Sequence, residues 1–188
     1  MNKVFFIGDT HFGHRRIIKY CNRPFQYPTD DPNNPFLDVD KMDEMLIKYW
    51  NETVESSDTV YHVGDFAFDR HPEKYLSRLN GTKHLIKGNH DKQPNIKQGW
   101  ASINDYREIR VEGQIIILFH YACRVWNKSH RGSWMLYGHS HGTLPDDINA
   151  LSIDVGADNH NYRPISFNEV KRIMAKKTFK PIDHHGKS

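Results

Sequence analysis

Cysteine is scarce in this chain. Cys21 and Cys123 are the only two among 188 residues, far apart and in no CxxC pattern. Two cysteines make no disulfide framework, and their scarcity fits a reducing compartment. Long apolar runs are missing as well: nothing approaches the ~20 residues needed to span a bilayer, so no membrane partner is expected. The opening run Val4-Phe5-Phe6-Ile7 is too short for the core of a secretory signal and meets no small-residue cleavage site. A cytoplasmic location is the expectation. Charge of one sign is lacking too. The net charge of +3 is too small to mark a nucleic-acid binder by itself, although it leaves room for local basic clusters. There are no internal repeats and no low-complexity tracts. Apolar residues at 37% and charged residues at 26% describe a globular chain rather than a disordered one. The length suits one hydrophobic core, so residues 1–188 are expected to form a single domain with a flexible tail from about 178 to 188.

Histidine, by contrast, is abundant, with 13 residues. Several sit beside glycine and aspartate in a recurring context: a short apolar run of strand length, then glycine and a polar cluster. Lys3 to Ile7 ends at Gly8-Asp9-Thr10-His11, and Thr59 to Val63 ends at Gly64-Asp65. Lys83 to Lys87 ends at Gly88-Asn89-His90-Asp91, Gln114 to Phe119 at His120, and Ser133 to Tyr137 at Gly138-His139-Ser140-His141. Between them, Val39, Met42, Leu46, Tyr49, Trp50 and Val54 follow helical spacing over about 39–54, and Pro72 to Leu79 is a shorter helix. Ser166 and Glu169 form a capping box ahead of Val170, Ile173 and Met174. Arg107 to Val111 and Gln114 to Phe119 flank Glu112-Gly113 as a hairpin, and Asn149 to Val155 is one more strand. Pro24 to Pro35, with four prolines, reads as a surface loop. Strands alternating with helices, followed by hairpins, predict an α/β sandwich with a mixed sheet or two packed sheets.

In an α/β fold the loops after strand C-termini collect the site. Asp9, His11, Asp65, Asn89, His120, His139 and His141 supply three oxygen-type and four nitrogen ligands. That set exceeds one tetrahedral zinc and suits two borderline divalent ions, such as manganese, iron or zinc, sharing a carboxylate. No cysteine lies in the clusters, which argues against a thiolate zinc site. Beside them, His14, Arg15, Arg16 and Arg23 either face the site and bind phosphate or form a solvated helix face. Phe66 and Phe68 either stack on a nucleobase or pack in the core. Asp158, Asn159 and Tyr162 either border the pocket or form a plain loop. Trp126 and Trp134 are expected to pack.

The ordered motifs D-x-H, GD, GNH-D, a lone His and GH-x-H resemble those of the calcineurin-like metallophosphoesterase superfamily, from about residue 3 to 175. The resemblance implies a four-layer α/β/β/α sandwich with mixed sheets. It also implies two divalent metal ions, manganese first, with iron, zinc or nickel as alternatives. By motif, Asp9, His11 and His141 would bind one ion, Asn89, His120 and His139 the other, and Asp65 both. His90 would act on the leaving group as a catalytic residue, with Asp91 orienting or charge-balancing it. The reaction implied is hydrolysis of a phosphodiester or phosphomonoester, with a nucleotide or nucleic-acid end as a candidate substrate. A hydroxide bridging two ions roughly 3.5–4 Å apart would attack in line. Acid–base catalysis by side chains contributes only about 10²–10⁴-fold, whereas phosphate ester hydrolysis requires barrier lowering of up to ~20 kcal/mol or more. The second motif of the family's protein phosphatases, GDxxDRG, is not matched, because Asp69 and Arg70 are displaced from that spacing. His11-Phe12-Gly13-His14 with Asn22-Arg23-Pro24-Phe25 looks like a compact microbial or phage branch. The alternatives are a nuclease on DNA or RNA, which predicts a basic groove, and a non-catalytic scaffold, as in one family member that lost its catalytic residues.

Overall fold

The computed structural model describes residues 2–31, 33–92, 96 and 98–183. In chain order it contains β1 (Val4–Ile7), α1 (Ile17–Tyr20), β2 (Gln26–Tyr27), β3 (Phe36–Leu37), α2 (Val39–Thr53), β4 (Thr59–His62), α3 (Glu73–Leu76) and β5 (Thr82–Ile86). There follow β6 (Ser102–Asn104), β7 (Tyr106–Val111), β8 (Gln114–Phe119), β9 (Trp134–Tyr137), β10 (Ser152–Asp154), β11 (Ile165–Ser166) and α4 (Phe167–Met174). One sheet has the order β11-β1-β4-β5-β6, and the other β10-β9-β8-β7. Within the first, β1, β4, β5 and β6 are parallel and β11 is antiparallel; within the second, β7 is antiparallel to β8, which runs parallel to β9 and β10.

The two-residue period of a strand explains how the sheets pack. On β1, Phe5 and Ile7 face a core shared with Met42, Leu46, Ile47 and Trp50 of α2, while Phe6 faces a second core. That second core lies between the sheets and joins Phe6, Val63 and Ile86 to Ile116, Leu118, Leu136 and Ile153. Alternate residues Ile117, Met135 and Tyr137 look out from the second sheet. The α/β/β/α arrangement is therefore present with a thin outer layer. Trp126 and Cys123 pack on that face, and the nearby 3₁₀ turn is only Ser129–Arg131.

Local chemistry sets the element ends. The Asp38 side chain accepts from Lys41 N–H at 3.0 Å and caps α2, a contribution of about 1 kcal/mol. The Ser166–Glu169 capping box starts α4, whose Phe167, Val170 and Met174 close one side of the inter-sheet core. β2, within the proline-rich segment, and β3, just after it, form a small antiparallel pair with Tyr27 opposite Phe36. Pro32 and the tail from His184 to Ser188, both part of the sequence-based expectations, lie outside the described residues. Thr178 and Lys180 donate backbone N–H bonds to Ile148 and Asn149 carbonyls at 2.9 and 2.8 Å.

Candidate metal centre

The parallel strands β1, β4 and β5 of one sheet, and β8, β9 and β10 of the other, deliver their C-terminal loops to one place. Backbone hydrogen bonds tie these loops together. Asp9 N–H donates to Gly64 O at 2.9 Å, His11 N–H to Asp65 O at 3.0 Å, and Gly138 N–H to His120 O at 3.0 Å. The approach is too close for a side chain at some points. A Cβ on Gly88 would stand 2.6 Å from the Asp65 nitrogen, and one on Gly138 would stand 2.6 Å from Asp9 Oδ2. Asp9, His11, Asp65, His139 and His141 hold φ values of 54, 52, 56, 68 and 47°. Left-handed backbone at non-glycine residues costs on the order of 1–3 kcal/mol each and clusters at functional sites. Aspartate and histidine tolerate it better than most residues.

The sequence-derived donors fall into two groups. Ligand atoms of Asp9, His11 and His141 all lie within 4.8 Å of one another, and so do those of Asp65, His120 and His139. Asn89 joins the second group: its Oδ1 lies 3.2 Å from His120 Nε2 and 3.1 Å from His139 Nδ1. Asp65 stands between the groups, with Oδ2 3.7 Å from His11 Nε2 and 3.5 Å from His120 Nε2. Its Oδ1 accepts the His90 backbone N–H at 2.9 Å.

The electrostatics are those of a site built around added positive charge. Burial pushes the Asp9 carboxyl up to about 7, against the opposing pull of His141 and His120. Burial holds His11 well below the usual imidazole range, so it is a neutral base, and both of its ring nitrogens are buried without a hydrogen-bond partner. Buried polar atoms are ordinarily paired; an imidazole lone pair with nothing to bond fits a cation. For Asp65, burial raises the pKa, but the hydrogen bond and charge of His120 outweigh it and keep the carboxylate ionised. The oxygen-and-imidazole donor set thus fits divalent ions of the first transition row.

The ligand rings are oriented from behind. Val63 O can only accept, so the 2.8 Å contact puts the proton of His120 on Nδ1 and leaves Nε2 for a cation. His141 Nδ1 bonds Asp158 Oδ2 at 2.7 Å. Burial opposes protonation of His141, yet the Asp158 bond wins and lifts it to about 10. Arg23 clamps Asp158 with Nε at 2.8 Å and Nη2 at 2.9 Å, and donates to the carbonyls of Asp9 and Thr10 at 2.7 and 2.9 Å. Arg23 is fully buried, so it braces the first donor group and does not reach substrate. The Arg23–Asp158 contact spans 135 residues and has no local sequence signal. Cys21 also lies close to His141 and Asp158.

Other expectations resolve by burial. Phe66 is core, packed on Phe12 and Trp100, whereas Phe68 is 49% exposed. His14 is half-buried, held neutral with a pKa of about 4 by burial, and its ring stacks on Phe68. Arg15 and Arg16 are exposed. Both oxygens of Asp91 accept backbone N–H groups, from Phe66 at 2.9 Å and from Asp65 and Gly88 at 2.8 and 2.9 Å. Asp91, expected beside His90 as its orienting group, thus staples the β5 loop to the β4 loop. The His90 ring is 5.8 Å from that of His11.

Two packed mixed sheets with polar donors gathered at their strand ends define a class of α/β phosphoesterase. The chain belongs to the calcineurin-like phosphoesterase superfamily, whose domain model matches residues 3–157. It is 32% identical over 185 residues to an uncharacterized protein of Methanocaldococcus jannaschii, covering 94% of this chain and 93% of that one. The gene 66 protein of Mycobacterium phage L5 is 32% identical over 96 residues, 48% of this chain and 41% of its own. A protein of unknown function from Aquifex aeolicus shares the fold, with a TM-score of 0.67 and 22% identity over 92% of this chain and 100% of that one. Among the described residues, no helix is long and apolar enough to cross a membrane.

Proposed function

We propose that this chain is a single-domain, dinuclear metal-dependent hydrolase of phosphodiesters or phosphomonoesters, with nucleotides or nucleic-acid ends as the candidate substrates. The observation that carries the reading is the pair of donor groups meeting at Asp65, with His11 imidazole nitrogens buried and unpartnered beside it. Asp9, His11 and His141 would hold one cation, Asn89, His120 and His139 the other, and Asp65 both. Manganese is the first choice, and iron, zinc or nickel suit the same donors. When bound, two such ions neutralise phosphate oxygens and lower the pKa of a water toward ~7.

The protein's own part is positioning and proton transfer. His90 is exposed at the rim of this centre and would protonate the departing oxygen. Its backbone N–H on Asp65 keeps that imidazole in register with the shared ligand, and Asp91 fixes the same turn through its three backbone N–H contacts. The two free thiols, Cys21 and Cys123, suit a reducing compartment, and we place the protein in the cytoplasm.

The test is hydrolysis of a chromogenic phosphodiester beside the matching monoester, with added manganese. Wild type should turn over at least one of them in a metal-dependent manner. His90→Ala should keep its metal and lose about 10²–10⁴-fold, most with a poor leaving group. Metal-replete wild type that hydrolyses neither ester contradicts the reading.

A further inference from the structure

Beyond the donors, the rim on the His90 side carries a feature that hydrolysis alone does not require. Phe68 exposes about half of its surface. An exposed ring is ordinary by itself, but this one is not on a loose loop. Phe68 N–H donates to Phe12 O at 2.7 Å, Phe12 N–H donates to Phe66 O at 2.9 Å, and Phe12 and Ala67 form a parallel bridge. The backbone is locked while the ring stays open. The ring lies against the His14 imidazole, with centroids 4.2 Å apart and planes 16° apart. It meets the His90 ring edge-on at 5.3 Å.

Phe68 is one wall of a cavity of about 500 Å³ whose other walls are Asp69, Arg70, Asn89, His90 and Lys92. Arg70 and Lys92 are exposed cations. The one acid, Asp69, is already engaged, by Lys74 Nζ at 2.5 Å, Tyr75 OH at 3.3 Å and His71 N–H at 2.8 Å. The cavity therefore combines a flat apolar platform with two cationic side chains against one carboxylate, and it opens directly onto His90 and Asn89. A neutral aromatic group would leave the cations unused, and a sugar phosphate would leave the ring unused. A nucleobase with a flanking phosphate uses both, because every base has a stacking face and its backbone an anion.

We propose that this cavity receives the leaving side of the substrate: a nucleoside whose base stacks on Phe68 and whose further phosphate pairs with Arg70 and Lys92. The assignment to the leaving side rests on the role given above to His90. The same chemistry is offered by a small dinucleotide and by the end of a single strand.

Calorimetric binding to the manganese-loaded protein tests it, with thymidine 3′,5′-bisphosphate and its base-free analogue, 2-deoxyribose 3,5-bisphosphate, as probes. Wild type should bind the base-bearing probe about tenfold tighter, within the range that one base–aromatic stack contributes. Phe68→Ala should bind the two probes equally, and Phe68→Trp should keep the preference. The double variant Arg70→Ala/Lys92→Ala should weaken both probes, retain the base preference and show a shallower salt dependence. A wild type without base preference, or a Phe68→Ala variant that weakens both probes alike, overturns the proposal. A ten-nucleotide oligothymidylate that binds tighter than the bisphosphate identifies the strand end as the source, and one that binds no tighter identifies the small nucleotide. Base preference without any turnover would sink the hydrolase reading and leave the cavity assignment standing. Turnover of a simple diester without base preference would do the reverse.

Discussion

Asp9 and His11 are closed to solvent and His141 is only partly open, whereas His139 stands exposed at the surface of the same centre. Asp9 is 0% and His11 2% exposed, and the first group is backed by the fully buried Arg23 and its two bonds to Asp158. The second group has two buried members, Asp65 and His120, with Asn89 half-buried and His139 exposed. The two sets of donors use the same chemistry, so the difference is one of support. The first is preorganised by buried groups that hold each ring and carboxylate in place. The second is left accessible on the side where His90 and the Phe68 cavity lie. A site that must both retain ions and admit a substrate can divide the two tasks in this way.

The largest effect is expected where the groups meet. Asp65→Asn removes the charge that both share, and manganese affinity should fall at both by more than about a hundredfold, the upper end of what an outer-shell loss costs. Hydrolysis should vanish with it. Next, His139→Ala should empty the exposed site while the buried one still binds one ion. The melting temperature should hardly move, because exposed substitutions stay within about ±0.5 kcal/mol.

Asp158→Asn sharpens the contrast from the other side. It uncouples His141 and leaves Arg23 as a buried cation without its partner. Affinity of the first group should drop about 10–100-fold. Stability should fall by roughly 3–5 kcal/mol in denaturant unfolding, the cost of breaking a buried pair. Equal losses at both groups would erase the proposed division.

A smaller effect, about 2 kcal/mol between pH 7 and 5, concerns pH. His62 is fully buried and bonds Thr10 Oγ1 at 2.9 Å, beneath the first group's loop. Burial lowers its pKa to about 3. The unfolded chain takes up this proton first, below its ordinary value near 6.5. Stability should therefore fall as pH drops from about 6.5 toward 3, by at most about 1.4 kcal/mol per pH unit. Urea midpoints at pH 7 and 5 should separate less in His62→Gln than in wild type.

Much of this centre was legible because its donors cluster at strand ends, where a glycine and a short apolar run announce them. Gly138-His139-Ser140-His141 and Gly88-Asn89-His90-Asp91 needed no fold to be noticed. Arg23 and Asp158 were not legible as a pair, since their contact exists only after α1 and the 3₁₀ turn at Ala157–Asn159 come together. Nor was the left-handed backbone at Asp9 or His141, where no glycine marks the position. Sheet order was not readable, the pattern predicting only a mixed sheet or two packed sheets. Ser102–Asn104, with one apolar residue, and the two-residue strands β2, β3 and β11 carry too little periodicity to stand out. The contacts of Asp91 were not legible either, because a carboxylate beside a histidine in sequence can still spend both oxygens on backbone N–H groups.

Anomalous diffraction from crystals soaked in manganese tests the central claim most directly. Two peaks are predicted, one among Asp9, His11 and His141 and one among Asn89, His120 and His139, with Asp65 reaching both. A single peak, or a second peak away from Asp65, would contradict the shared two-ion centre.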